Sequence, residues 1–345
     1  MELWKIWGIC GIIRFMGGNT EKVIDIKENQ LLKIDQELLE ILLQDKTTGK
    51  NIIWATDNYI SHGDSYAPDK EIFIELITSR NGNIIKPRVE KSKLEQQKRV
   101  KQKAEVFTPA WICNAQANLV DDAWFGRKSQ FNVEDVATKT WKTLTDKIEF
   151  PNTEGKTWQD YVKSTWLEIT CGEAPYITSR YDAVTGEYIE VQNRIVFLDR
   201  KLRIVNENTE SYEDWLNWAK IAVQSSYGYE WQGDNILLAR ENVLFTVMEN
   251  CKYKFQKDLI SKELIEFAKI IVWNIWQMDG LKFVIPNSCC KENKTEETLF
   301  ETVTVATECE GCKKNIYKKH NGIYCKIMDW QENEVVRFVD ILKEK

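Results

Sequence analysis

A carboxylate and a tight turn stand close together in the stretch 166–176, which holds the residue types best suited to ligand binding. An apolar run there ends at Glu168, and the turn Cys171-Gly172 follows. A glycine in such a turn lets backbone amides approach a ligand, because no Cβ stands in the way. The carboxylate of Glu168 can accept hydrogen bonds from an ammonium group. We therefore expect Glu168, Cys171 and Gly172 to form part of a ligand site.

Two further acids follow short β-like runs later in the chain. Glu230 comes directly after Tyr227-Gly-Tyr, where it can accept from the two hydroxyls of a ribose. Asp279 ends the run that begins at Asn274, where it can accept from an adenine amino group. Any one of these acids taken alone is more commonly a cap of the next helix. In this order, together with Glu168, they indicate a site for S-adenosylmethionine (SAM).

The three acids fall at the ends of predicted strands that alternate with predicted helices. Strands are expected near 165–170, 226–230 and 270–276, and helices near 211–224 and 234–248. Strands separated by helices indicate a parallel, doubly wound sheet. In such a sheet ligands bind beyond the carboxyl ends of the strands. The fold class expected from residue 105 onward is therefore α/β.

A further helix is expected to begin at Thr108-Pro109. Threonine can cap the open amide groups of a helix, and proline suits the first helical position because its missing N–H costs nothing there. Phe107 directly precedes this start, so Phe107, Thr108 and Pro109 form a single local motif.

Together these segments resemble the adenine-specific DNA methyltransferases of restriction–modification systems, and look closest to proteins labelled restriction endonuclease subunit M. The segment 105–113 resembles the family's N-terminal SAM motif, and 167–176 resembles its glycine-rich loop. Glu230 resembles the ribose-binding acid, and 274–279 resembles the segment that contacts adenine. The resemblance implies a Rossmann-like SAM-dependent methyltransferase fold, SAM as cofactor and double-stranded DNA as partner. The cofactor-binding residues that it implies are Phe107, Thr108, Pro109, Glu168, Cys171, Gly172, Glu230 and Asp279.

The chain departs from this family in two ways. Ala174 stands where the loop usually has a second glycine, which costs little unless that residue needs a positive φ. The catalytic Asn/Asp-Pro-Pro-Tyr/Phe is absent, since no two prolines are adjacent, and 173–176 is only a distant look-alike. The catalytic residues therefore stay unknown. We expect cofactor binding here, with a second restriction–modification subunit or a downstream half supplying catalysis and target recognition.

A cysteine cluster near the end of the chain predicts a zinc site. Cys309 and Cys312 form a Cys-x-x-Cys pair, and Cys325 and the adjacent pair Cys289-Cys290 can add thiolates. The set that we favour is Cys309, Cys312, Cys325 and Cys290. His320 is an alternative fourth ligand, and a reduced loop without metal is the other interpretation.

The densest basic run of the chain lies between residues 86 and 104. It predicts either a solvated linker helix or an arm that contacts DNA phosphates through Lys98, Arg99 and Lys101. The second interpretation supports a rival function from another class. In that rival, a non-enzymatic module on the same fold binds DNA or a partner protein.

The composition is that of an ordinary globular protein. The chain has 345 residues, a net charge of −6 and nine cysteines, most of them isolated, so a reduced cytoplasmic protein is expected. Residues 1–18 are apolar but too short and too charged to span a membrane. The expected domains are this lead-in, a small α+β region at 19–85, the basic linker, and a methyltransferase-like domain at 105–345. A Cys-containing insertion is expected at about 287–325.

Within the α+β region the pattern predicts one helix and three strands. The helix covers the apolar positions of 20–45. The strands are expected over 51–55, 71–77 and 83–87, separated by turn-rich segments.

Overall fold

The structure is a computed structural model that describes residues 28–151, 153–297 and 302–342. The apolar lead-in expected at residues 1–18 lies outside the described residues. Among the described residues, no helix combines the length and apolarity that crossing a membrane requires.

Helices make up most of the regular structure. The α-helices of the described residues are α1 (Glu28–Ile34), α2 (Gln36–Leu43), α3 (Ile74–Ile77), α4 (Lys93–Lys103), α5 (Ala110–Phe125), α6 (Trp158–Lys163), α7 (Phe197–Asn208), α8 (Tyr212–Gln224), α9 (Gly233–Phe255), α10 (Ser261–Asn274), α11 (Glu310–Lys314) and α12 (Phe338–Ile341). The strands are β1 (Asn132–Asp135), β2 (Thr140–Thr143), β3 (Trp166–Glu168), β4 (Ser226–Glu230), β5 (Ile275–Gln277), β6 (Glu292–Glu297), β7 (Thr302–Thr307), β8 (Lys326–Asp329) and β9 (Glu334–Arg337).

The central sheet is parallel and has the order β3-β4-β5. Its register pairs Glu168 with Gly228, so Glu168 and Glu230 lie on the same face of the sheet. The predicted strands near 165–170 and 226–230 are confirmed, as are helices α8 and α9. The strand predicted over 270–276 begins only at Ile275, because α10 continues through Asn274. The other three sheets are antiparallel pairs of strands.

Helix α9 is the centre of the hydrophobic core. It contacts β4 and β5 as well as helices α2, α7, α8 and α10, and it is buried along most of its length. Phe245 of α9 belongs to one large apolar cluster with Trp215 and Phe267. The helix starts at a glycine for a steric reason. A Cβ at Gly233 would lie 2.1 Å from the carbonyl oxygen of Ile53.

The N-terminal region shares this core instead of forming a sheet of its own. The predicted strands over 51–55 and 71–77 reduce to two isolated bridges, Gln44 with Asn51 and Ile53 with Glu71, and Ile74–Ile77 is helix α3. No strand forms over 83–87. The backbone groups of Ile53 bind the side-chain amide of Gln277 in β5 instead of a neighbouring strand. The amide oxygen accepts from the N–H of Ile53 at 2.9 Å, and the amide nitrogen donates to the carbonyl oxygen of Ile53 at 2.8 Å.

The single helix predicted over 20–45 is two helices in its described part. Asp35 lies between α1 and α2 in an extended conformation, and its carboxylate accepts from the N–H of Glu37. The local N-cap therefore interrupts the apolar periodicity that predicted one continuous helix.

A carboxylate near the end of α9 holds the long segment between β3 and α7. Arg180 and Arg194 of that segment both donate to Glu249, Arg180 at 2.8 Å. Burial alone would raise the pKa of Glu249, but the charges of the two arginines outweigh it and lower the pKa to about 2. The folded state therefore binds a proton at Glu249 more weakly than the unfolded chain does.

This ion pair predicts a specific sensitivity to acid. Because the pKa of Glu249 is lowered, its stabilisation is present above the ordinary carboxyl pKa of about 4.5 and is lost as the pH falls toward about 2. Glu249→Gln should lower the free energy of unfolding by roughly 2–3 kcal/mol at neutral pH and flatten its decrease between these pH values. Urea titrations at a series of pH values measure both effects.

Glu266→Gln is the matched control, since Glu266 pairs with Lys220 at a partly exposed position. A pair of that kind contributes at most about 1 kcal/mol. Equal losses in the two variants would contradict the role assigned to Glu249.

Candidate functional site

A cleft of about 400 Å³ opens at the carboxyl ends of β3 and β4. Its walls come from the segment 103–108 before α5, the turn after β3, the end of β4 and the first turn of α9. The predicted residues that line it are Phe107, Thr108, Glu168, Cys171, Gly172 and Glu230. Segments far apart in the chain thus meet at the edge where a parallel sheet binds ligands.

Glu168 shapes the loop that closes one side of the cleft. Its buried carboxylate accepts from the backbone N–H groups of Tyr176 and Ile177 at 3.2 and 3.1 Å. Burial raises the pKa of Glu168 well above its ordinary value, and these two hydrogen bonds oppose the rise. The side chain therefore supports the loop in addition to facing the cleft.

Glu230 connects the ends of the two strands. Its carboxylate accepts from the N–H of Gly172 and from the N–H of Gln232, each at 3.1 Å. Burial raises the pKa of Glu230, against the effect of these amide hydrogen bonds. The contact to Gly172 fixes the turn after β3 relative to β4.

The turn after β3 alternates between ordinary and left-handed backbone. Thr170, Gly172 and Ala174 have φ values of +48°, +53° and +65°. Ala174 stands where a second glycine is expected, and its φ lies in the region that glycine favours. A residue with a Cβ costs about 1 kcal/mol there, so the loop is strained at Ala174.

Phe107 packs directly against this turn. A Cβ on Gly172 would lie 3.0 Å from the Cε1 atom of Phe107, so any other residue would force the ring to shift by a few tenths of an ångström. Helix α5 begins at Ala110, with Pro109 at the N-cap position. The N–H of Ala110 is capped by the carboxylate of Asp182 at 2.7 Å, so the predicted cap by Thr108 is wrong.

Two of the predicted cofactor residues do not line the cleft. Pro109 serves the start of α5, and Asp279 shapes the turn after β5. The carboxylate of Asp279 accepts from the N–H groups of Leu281 and Lys282 at 2.9 and 3.1 Å. No helix begins there, so Asp279 stabilises a turn and is neither a cleft residue nor a helix cap.

A buried ionic network lies behind the cleft, and it corrects one predicted DNA contact. Arg99 is 2% exposed and donates to Glu105 at 3.0 Å and to Asp234 at 2.7 Å. Its charge is therefore used inside the fold, and phosphate cannot reach it. Lys98 and Lys101 are exposed on α4, so their contact with DNA stays a prediction.

The cleft lining also contains residues outside the predicted set, among them the polar side chains of Glu105, Gln232 and Asn235. Gln232 donates to Glu105 at 2.8 Å, and the amide group of Asn235 lies 3.5 Å from the same carboxylate. The signal for Glu105 was its place at the start of the segment 105–113. The other two belong to the beginning of α9, where no local pattern marks them.

Four side chains of the cysteine-rich segment form a set that can hold a metal ion: Cys289, Cys309, Cys312 and His320. The Sγ atom of Cys289 lies 3.4 Å from that of Cys309 and 3.6 Å from that of Cys312. The Nδ1 atom of His320 lies 3.5–3.6 Å from all three sulfurs. The Cys309 sulfur also accepts from the N–H of Cys312 at 3.4 Å, which orients the Cys-x-x-Cys turn.

The predicted ligand set is corrected at two positions. Cys325 is fully buried, and its thiol donates to the carbonyl of Gln277 at 3.4 Å. Cys290 is exposed, and its place is taken by Cys289. His320 reaches the cluster because its backbone passes close to Gly311. A Cβ on Gly311 would lie 2.6 Å from the backbone nitrogen of His320.

Comparison with known proteins gives no family. Neither the protein-family models nor the curated proteins nor the solved structures contain a match. The geometry of the cleft and of the Cys3His group therefore carries the functional argument.

The close packing of Gly172 on Phe107 is testable by adding one methyl group. Gly172→Ala introduces both an unfavourable positive φ and a contact with the Phe107 ring. Gly155→Ala is the matched control, since Gly155 has φ +73° but nothing within 4 Å of its Cβ position. We expect a loss of about 1 kcal/mol in the control and roughly 1–3 kcal/mol more in Gly172→Ala. Chemical denaturation measures both values, and equal losses would rule out the steric role of Phe107.

Proposed function

We propose that the chain binds SAM in this cleft, on a Rossmann-like sheet. In the proposal it is a DNA adenine-N6-methyltransferase-like subunit of a restriction–modification system. The observation that carries it is the meeting of Phe107, Glu168, Gly172 and Glu230 at the carboxyl edge of β3 and β4. Glu168, Gly172 and Glu230 each suit one part of SAM, and Phe107 belongs to the segment that resembles the family's N-terminal SAM motif.

Each wall of the cleft has a role in this proposal. Glu230 accepts from the ribose hydroxyls, and Glu168 accepts from the ammonium group of the methionine part. Gly172 allows backbone to approach the ligand, and Phe107 supplies apolar contact. Methyl transfer needs a group that orients the target amino group, and the sequence contains no Asn-Pro-Pro-Tyr to do so. A second subunit supplies that group in the proposal, and DNA is the shared substrate.

Isothermal titration calorimetry with SAM and the full chain tests the proposal. We expect saturable binding, and Glu230→Gln should weaken it about 10- to 100-fold, because a hydrogen bond to a charged group contributes about 1.5–3 kcal/mol. Glu332→Gln, an exposed residue outside the cleft lining, should leave the affinity unchanged.

Two results would refute SAM binding. One is the absence of heat at millimolar SAM. The other is DNA binding that weakens with salt and proceeds without any uptake of SAM, which would favour the non-enzymatic DNA- or partner-binding module.

We also propose that zinc is the ion of the Cys3His group. With Zn–S and Zn–N bonds of about 2.3 and 2.05 Å, a tetrahedral site separates two sulfurs by roughly 3.8 Å and a sulfur from a nitrogen by roughly 3.6 Å. The distances from His320 agree with this value, and the sulfur distances are slightly shorter. Four protein ligands leave no open position, which is typical of structural zinc.

Metal analysis of the purified chain tests the zinc proposal. We expect about one zinc per chain and a lower melting temperature after chelation, because metal binding stabilises only the folded state. Cys289→Ser should lose the zinc, whereas Cys290→Ser, a change at the neighbouring exposed thiol, should keep it. Zinc loss in Cys290→Ser but not in Cys289→Ser would contradict the ligand set.

A further inference from the structure

The helices that connect the central strands pack on one face of the sheet. The strands follow one another in the order β3-β4-β5. Crossovers between parallel strands are almost always right-handed, so two that run in the same direction place their helices on one face. On that face the hydroxyl of Ser226 donates to a carbonyl of α8, and Ile275 belongs to the helical core. Tyr229 and Trp276 point to the other face, in a separate apolar cluster with Phe338 of α12.

The face away from these helices is only partly covered. A groove of about 640 Å³ lies on it, lined by Leu167, Tyr227 and Trp276 of the three strands and by Trp330 and Phe338 from the end of the chain. Parallel sheets are normally covered on both faces. Here β8, β9 and α12 cover the β5 side. On the β3 side Leu167 is 41% exposed, so the groove is open there.

The same side of the sheet has an open backbone edge. Within the described residues β3 pairs only with β4, and the N–H of Trp166 donates to the carbonyl of Ser225 at 3.0 Å. The backbone groups of successive residues in a strand point to opposite sides, so those of Leu167 point away from β4.

This edge lacks the features that prevent pairing with another chain. Natural edge strands are protected by exposed lysines, by prolines or by inward-pointing charges at the edge. In the stretch 164–172 the one charged residue is Glu168, which is buried and binds backbone amides. Leu167 is exposed, and so is Ile169, two residues further along, at 63%. An uncharged edge with exposed apolar side chains is suited to accept a further strand.

We propose that this strand comes from a second copy of the same chain, with the two β3 strands antiparallel about a twofold axis at Leu167. The twofold pairs Leu167 with its own counterpart and Thr165 with Ile169, so uncharged residues meet along the whole edge. Lys163 then lies opposite Cys171 of the second copy, and the two lysines are at opposite ends of the pairing. A copy of the chain therefore meets this edge without repulsion between like charges.

The groove supplies the apolar surface that such a dimer needs. A specific dimer buries about 1,200–2,000 Å² in total, which is more than one short strand pair provides. Leu167 belongs both to the edge and to the groove lining. Leu167 of the second copy would stand beside it, at the open side of the groove. The two three-stranded sheets would form one sheet of six strands.

The antiparallel arrangement also positions the two ligand clefts. Each cleft lies at the carboxyl ends of β3 and β4, so the twofold places the two clefts at opposite edges of the joint sheet. Ile169 and Thr170 line the cleft and directly follow β3. The dimer contact therefore adjoins the strained turn of each cleft without blocking its opening. The inference goes beyond the proposed function, because it does not depend on which ligand the cleft binds.

Sedimentation equilibrium of the full chain tests the inference. We expect a mass of twice 40.5 kDa at high micromolar concentration. Leu167→Lys and Ile169→Lys each bring two like charges to the pairing, and each should raise the dissociation constant about 100-fold or more. Leu119→Lys, which adds the same charge at an exposed leucine of α5, should leave the dissociation constant unchanged. Thermal melting shows that each variant is folded.

Hydrogen exchange locates the contact. The amide of Leu167 should exchange slowly in the dimer and at least tenfold faster after dilution to the monomer, because its partner lies in the second copy. The amide of Trp166, which is bonded to β4, should exchange slowly at both concentrations.

Three results would overturn the inference. The first is a monomer at high micromolar concentration. The second is a dimer that survives both Leu167→Lys and Ile169→Lys, since another surface would then hold it together. The third is protection of the Leu167 amide that does not change on dilution, which would mean that a segment of the same chain covers the edge.

Discussion

Asp234, in the first turn of α9, is the buried anion on which the candidate site depends. Arg99 of α4 and the hydroxyl of Tyr59 both donate to it at 2.7 Å, and the ammonium of Lys91 lies 3.7 Å away. Burial alone would raise the pKa of Asp234, but the two cations hold it well below its ordinary value. Arg99 also binds Glu105 of the cleft wall. Removing one charge from such a network costs about 3–5 kcal/mol, so the N-terminal region, the segment 91–103 that contains α4, and the cleft are stabilised together.

The parts of the site that were predictable from sequence are those set by local pattern. Glu168 and Glu230 end short β-forming runs, which made both recognisable as strand-end acids, whereas their place on the same face follows from the register of β3 and β4. The turn after β3 was also recognisable, because Cys171-Gly172 breaks an apolar run. The departure at Ala174 was visible as a residue type, but its cost depended on the φ angle that only the structure gives.

Several of the errors share a cause, which is pairing between groups distant in the chain. Ile53 was expected to pair with another strand, but the side chain of Gln277, more than 200 residues away, occupies its backbone groups. Arg99 lies in a run of basic residues, which predicted an exposed side chain. It is buried because it pairs with Asp234, 135 residues further along the chain. The choice between Cys289 and Cys290 likewise depends on which way the chain turns after β5. No periodicity or spacing contains this information.

Helix α9 is a long buried helix that connects the cleft with the ion pairs of Glu249. The helix has 23 residues, and it is continuous between Asn235 at the cleft and Glu249, which holds the segment between β3 and α7. At a rise of 1.5 Å per residue, these two side chains are roughly 20 Å apart along one axis. Since the helix is packed on nearly every side, it can move only as a whole. A tilt or shift of α9 at the cleft would therefore displace Glu249 as well. The positions of Arg180 and Arg194, which bind Glu249, are coupled to the position of the cleft in this way.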